Sequence, residues 1–149
     1  MMCSRRVTMS ERIVVEEART VLDPDALLGQ LNTEGCGAVV SFVGLTRGID
    51  NGTEILRLEF DAWHEQLRPV LLDLATVATA TYGLHGVAMA HRTGAVGPGE
   101  PIVAIHVASP HRKEAFEACS WLIDELKRQA PIWKKEVTPL GTTWKEGLG

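Results

Sequence analysis

Four basic residues, a proline and a tryptophan fall within the eleven positions of LKRQAPIWKKE, Leu126 to Glu136, in a chain whose net charge is −4. Clustered ammonium groups in an acidic protein are either a solvated helix end or a site that grips an anion and holds a proton for transfer. SPHR (109–112) and Arg47, in a glycine-flanked loop, carry related chemistry. A guanidinium holds oxyanions with a planar fork of donors. A lysine releases its proton more readily once burial or cationic neighbours lower its pKa.

Predictable elements position these groups. SPHRKEAFEACSWLIDELKRQA (109–130) repeats Ala115, Phe116, Cys119, Leu122, Ile123 and Leu126 at helical spacing. Lys127 then lies about 80° from the stripe's centre, at the edge of the buried face. Its ammonium either snorkels to water over the core or occupies a crevice where its pKa falls. At the other helix end Ser109 suits a cap and Pro110 the first helical position, with His111 and Arg112 following. That end either merely starts the helix or binds phosphate through free N–H groups. Pro131 stops the helix, and IWKKEVT (132–138) reads as a strand. Lys134 and Lys135 therefore face opposite ways, and Glu136 points with Lys134. Such lysines either join a site or guard a sheet edge.

The remaining segments supply a scaffold. RIVVEE (12–17), CGAVVSFVG (36–44), EILRLEFDA (54–62), VAMAHRTG (87–94) and PIVAIHVA (101–108) read as strands. In 54–62, Leu56, Leu58 and Phe60 share one face, and a long-looped hairpin with 36–44 is expected, with a turn at Asn51-Gly52. Asp23-Pro24 starts a short helix. A longer one spans 66–83, with Pro69 in its first turn and Gly83 as its C-cap. TPLGTTW (138–144) closes the chain, and the order β-α-β-β-α-β-β-α-β-β implies a single α+β domain over 12–149, with a mixed, largely antiparallel sheet and packed helices. Residues 1–11 read as a disordered extension, with Met9 an alternative start.

Composition excludes several classes. A pI near 5.7 argues against a general nucleic-acid binder. No apolar run approaches the roughly 20 residues of a membrane span, and no apolar region follows the N-terminal arginines, so a cytoplasmic protein is expected. Cys3, Cys36 and Cys119 make neither a disulfide framework nor a zinc site, and Cys119 reads as a core thiol. His106 and His111 straddle a strand end, so no metal is expected. His91 and Arg92 read as structural.

GAVVSFVGLTR, HRTGAVGPGE, SPHRKEAFEAC and LKRQAPIWKKE occur in the order found in the catalytic (large) subunit of molybdopterin synthase. The chain resembles that family over about residues 12–146. The resemblance implies an α/β hammerhead-type fold and a homodimer with a small ubiquitin-like subunit at each end, a heterotetramer overall. The small subunit's C-terminal Gly-Gly tail, as a thiocarboxylate, would deliver sulfur to cyclic pyranopterin monophosphate (precursor Z), making molybdopterin's dithiolene without a resident cofactor. Substrate contacts are implied for Leu45, Thr46, Arg47, His111, Arg112, Lys127, Lys134, Lys135 and Glu136, with Lys127 and Lys134 catalytic. The chain departs from the family pattern at GIDN (48–51) and at Trp63. Other readings are a persulfide carried on Cys119 or Cys36, a non-catalytic module for a phosphorylated ligand or partner tail, and purely structural lysines.

Overall fold

The computed structural model describes residues 12–145, so the expected extension 1–11, with Cys3 and Met9, lies outside the described residues. The elements are β1 (Ile13–Ala18), α1 (Pro24–Leu28), β2 (Ala38–Leu45), β3 (Ile49–Asp50), β4 (Thr53–Glu54) and β5 (Arg57–Ala62). Then follow α2 (His64–Tyr82), β6 (Gly86–Arg92), β7 (Gly94–Val96), β8 (Pro101–Ser109), α3 (Arg112–Gln129), β9 (Ile132–Thr138) and β10 (Gly141–Lys145).

The expected α+β architecture with mostly antiparallel pairing is present, divided between two four-stranded sheets. One runs β1-β6-β8-β2, with β1 parallel to β6 and the other pairs antiparallel. The other runs β10-β9-β5-β7 and is wholly antiparallel. All of β6 is buried because the first sheet is covered on both sides. Leu67, Leu71 and Leu74 of α2 and Ala118, Leu122 and Leu126 of α3 fill the main core on one side. Leu22, Leu27 and Leu31 cover the other, against Ala88, Ala90, Ala104 and Ala108, whose small side chains admit the short α1. The Asp23 carboxylate caps α1, accepting from the N–H groups of Asp25 and Ala26 at 3.1 Å.

The expected hairpin between 36–44 and 54–62 does not form. β2 pairs with β8, while β5 lies between β7 and β9 in the other sheet. The connecting loop folds on itself instead: β3 and β4 pair around Asn51 (φ 50) and Gly52 (φ 78). Two successive positive φ values make this a hairpin turn that Asn-Gly favours. Leu56 falls outside β5 and is 43% exposed, so only Leu58 and Phe60 supply the expected apolar face. The strand expected over 87–94 is likewise divided. β6 ends at Arg92, and Gly94 (φ 84) lets the chain leave the first sheet and enter the second as β7.

Both long helices start away from their expected positions. α2 begins at His64, so Pro69 falls in its second turn rather than its first. Gly83 caps it in the left-handed conformation as expected, at φ 63. α3 begins at Arg112 with His111 as N-cap; Ser109 instead ends β8, buried, and its Oγ accepts from the His111 N–H at 3.4 Å. The buried stripe of α3 centres on Ala118, Cys119 and Leu122, which leaves Phe116 62% exposed. No helix among the described residues is long and apolar enough to cross a membrane.

Candidate active site

A cavity of about 320 Å³ opens where β2, β5, β6, β8, α3 and the β9–β10 hairpin converge. The register of the second sheet sets its chemistry. Lys134 lies opposite Phe60, and Glu136 opposite Leu58, so all four share the inward face of the β5–β9 pair. Lys145 lies opposite Lys134 on β10 and joins them. From α3, Lys127 reaches the rim beside Ile123 and Leu126, the edge position that helical periodicity gave it. From the first sheet, β2 shifts register between Gly44 and Leu45, and the chain beyond this irregularity carries Leu45 and Arg47 to the same opening.

Four cations, Arg47, Lys127, Lys134 and Lys145, thus line the cavity with two carboxylates, Asp50 and Glu136. Arg47 lies 3.7 Å from Asp50, and Lys145 lies 3.6 Å from the buried Glu136. Desolvation holds the pKa of half-buried Lys134 below the ordinary lysine value. Glu136 opposes that shift, while Arg47, Lys127 and Lys145 reinforce it by repulsion. This lysine yields a proton more readily than a solvated one. The excess of positive charge suits a small anion, whose arrival offsets the repulsion.

Other expected site residues stand apart. Thr46 is buried outside the cavity wall: its N–H donates to the Glu100 carbonyl at 3.0 Å, and its carbonyl accepts from Gly99 at 2.8 Å. It ties the Arg47 loop to the turn before β8. Lys135 points outward, as strand alternation requires, pairing with Glu59 at 3.3 Å and lying 5.1 Å from the Trp144 ring centroid. His111 and Arg112 are exposed at the far end of the β2–β8 ladder, where Ala38 pairs with Ser109, whereas the cavity lies at the Leu45 end. Seven strand steps separate Ala38 from Leu45, roughly 23 Å.

Sequence reasoning missed three of the polar lining residues. Lys145 was legible only in part, since alternation in GTTWK separates its face from that of Trp144. Asp50 reaches the cavity through the β3–β4 turn. His91, read as structural, is buried in the wall. Neither Cys119 nor Cys36 lines the cavity. Burial pushes the Cys119 thiol up to about 11 and also raises that of Cys36, the reverse of what a reactive thiolate needs.

An α+β domain that gathers lysines and an arginine around an apolar-floored cavity has, in physical terms, the chemistry of a pocket for a small anionic ligand. Residues 17–129 match the MoaE protein family. A molybdopterin synthase catalytic subunit from Arabidopsis thaliana is 39% identical over 133 residues, covering 89% of this chain and 67% of the relative. Among solved structures, molybdopterin synthase from Staphylococcus aureus superposes with a TM-score of 0.81 at 27% identity, covering 95% of this chain and 99% of that one. A complex of subunits 1 and 2 of molybdopterin-converting factor from Helicobacter pylori gives a TM-score of 0.74 at 26% identity, covering 89% and 90%. The chain belongs to the MoaE family.

Proposed function

We propose that this chain is the catalytic subunit of a molybdopterin synthase, a sulfurtransferase acting on cyclic pyranopterin monophosphate. The C-terminal thiocarboxylate of a small ubiquitin-like subunit supplies the sulfur, and the two-subunit Helicobacter pylori complex supports such a partner. One observation carries the reading: Arg47, Lys127, Lys134 and Lys145 converge on one cavity in a chain of this family. Fixed cations there neutralise the substrate phosphate, orient it toward the incoming tail, and stabilise charge as it develops. The thiocarboxylate sulfur attacks an electrophilic carbon of the substrate, forming the new C–S bond as that carbon's C–O bond breaks and the departing oxygen takes up a proton. Water then breaks the acyl–sulfur bond and returns the tail as a carboxylate. Lys127 polarises the thiocarboxylate oxygen, and Lys134, with its lowered pKa, transfers the proton. Leu45 shapes the rim, Glu136 holds Lys145, and Lys145 takes the substrate-facing place expected of Lys135. A cytoplasmic setting belongs to the same proposal.

His111 and Arg112 enter through the expected homodimer. β2 is an edge strand whose outward side exposes Val39, Val43 and Leu45. A second copy paired antiparallel along that edge exchanges the strand's ends. Its Ser109–Arg112 corner then lies beside this chain's Leu45 and Arg47, and the two distant cations complete the partner's anion site.

The test is molybdopterin formation with thiocarboxylated small subunit and cyclic pyranopterin monophosphate, comparing wild type with Lys127→Ala. Activity in wild type that falls at least about 100-fold in a folded, partner-binding variant is expected. No turnover by wild type despite ligand and tail binding would favour the non-catalytic module. Mixed dimers of Lys127→Ala with Arg112→Ala chains are expected to regain part of the activity that each homodimer lacks, because one of the two shared sites is then intact. Absence of such complementation places Arg112 in its own chain's site or outside the chemistry.

A further inference from the structure

We propose that His91 is a substrate-binding residue whose Nε2 accepts a hydrogen bond from a ring N–H of the bound heterocycle, holding the ring at the cavity floor with its phosphate at the cationic rim. This rests on the reading of the chain as an enzyme acting on a pterin phosphate.

His91, the penultimate residue of β6, is only 2% exposed yet lines the cavity. Its Nδ1 lies 2.6 Å from the Arg92 carbonyl. A carbonyl only accepts, so Nδ1 carries the ring proton and Nε2 presents a lone pair. The Phe60 ring meets the imidazole edge-to-face, with centroids 5.3 Å apart at 81°, and restrains its plane. Nε2 has no hydrogen-bond partner among the described residues. Nε2 is not among the fully enclosed polar atoms left unpaired, so it is open to the cavity, where a ligand N–H can reach its lone pair.

The surroundings define which ligand atom fits. Phe42, Phe60, Val103 and Leu126 give the cavity apolar walls suited to a flat ring. The other side chains that can hydrogen-bond in its lining are charged: four cations and two carboxylates. His91 stays neutral among them because burial pushes its pKa down to about 4, although its bond to the Arg92 carbonyl acts the other way. It is therefore an acceptor rather than a further anion-gripping cation. A phosphate alone, which the rim already satisfies, makes no use of it; a heterocycle bearing ring N–H donors does.

Two substitutions separate this role from a packing role. Asparagine places its amide near the Nδ1 position, keeping a donor for the Arg92 carbonyl but withdrawing the acceptor. Glutamine reaches the Nε2 position. Binding of cyclic pyranopterin monophosphate is measured by calorimetry for wild type, His91→Asn and His91→Gln, with thermal midpoints alongside. The expected result is a Kd raised about tenfold in His91→Asn and within about threefold of wild type in His91→Gln. Unchanged binding by His91→Asn would overturn the assignment, as would an equal loss in both variants, which marks the imidazole as a packing element. Absence of binding by wild type would instead overturn the proposed function, and this inference with it.

Discussion

Lys134 and Lys135 are adjacent on β9 and meet opposite environments. Lys134 points inward, where desolvation and three cationic neighbours lower its pKa against the pull of Glu136. Lys135 points outward, paired with Glu59 and stacked over Trp144. The carboxylate on that outer face is held below the usual range by its hydrogen bond to Arg57 and then by Lys135. The difference comes from the two-residue period of a strand with one face against a core. A charge cluster that looks uniform in sequence is sorted by the backbone into one strained ammonium and one satisfied ammonium. Only the first has the lowered pKa that the proposed proton transfer requires.

The largest expected effect tests that sorting directly. Lys134→Ala is expected to reduce molybdopterin formation about 10²- to 10⁴-fold, the usual worth of a positioned acid or base, with the circular dichroism spectrum unchanged. Lys135→Ala is expected to stay within about threefold, since it removes a partly exposed ion pair of small value on the face away from the cavity. Similar losses in both variants would break the comparison and move the chemistry to a feature the two lysines share.

A subtler test uses the buried carboxylate. Glu136 is the one neighbour that raises the Lys134 pKa, while desolvation, Arg47, Lys127 and Lys145 lower it. Glu136→Gln therefore drives that pKa further down. The limb of the kcat/KM–pH profile that reports Lys134 should move to lower pH, whichever protonation state is productive. Lys135→Ala should leave the limb in place. A shift to higher pH in Glu136→Gln would show that Glu136 does not act on Lys134 as its position implies.

This inner-face chemistry was legible in sequence wherever local periodicity decided it. The edge position of Lys127, the opposition of Lys134 to Lys135 and the companionship of Lys134 with Glu136 follow from helical and strand geometry alone. What escaped depends on non-local pairing. That β2 and β5 belong to different sheets is set by the closed β3–β4 turn and the left-handed Gly94, neither of which announces its partner strand. Lys145 joins the site only because β10 folds back on β9 in the observed register. Phe116 was misplaced because periodicity weighted a large side chain over Ala118, and alanine is what allows α3 to sit close to the sheet. His111 and Arg112 look, in sequence, like part of one anion site; the length of β2 separates them from it within a single chain.

The smallest effect probes whether the two faces are independent. Trp144 and Lys145 are neighbours on β10, yet Trp144 faces Lys135 outside while Lys145 reaches Glu136 inside. Trp144→Ala removes a partly exposed cation–π contact of about 0.5–1 kcal/mol and leaves the backbone ladder to β9 intact. A fall of a few degrees in Tm is expected, with activity within about twofold, because the Lys145 ammonium is aimed by strand alternation and by Glu136 rather than by the indole. Lys145→Ala should do the reverse, lowering activity with little change in Tm. If Trp144→Ala costs as much activity as Lys145→Ala, the outer aromatic face helps to set the inner cationic one, and the hairpin must be treated as a single unit of the site.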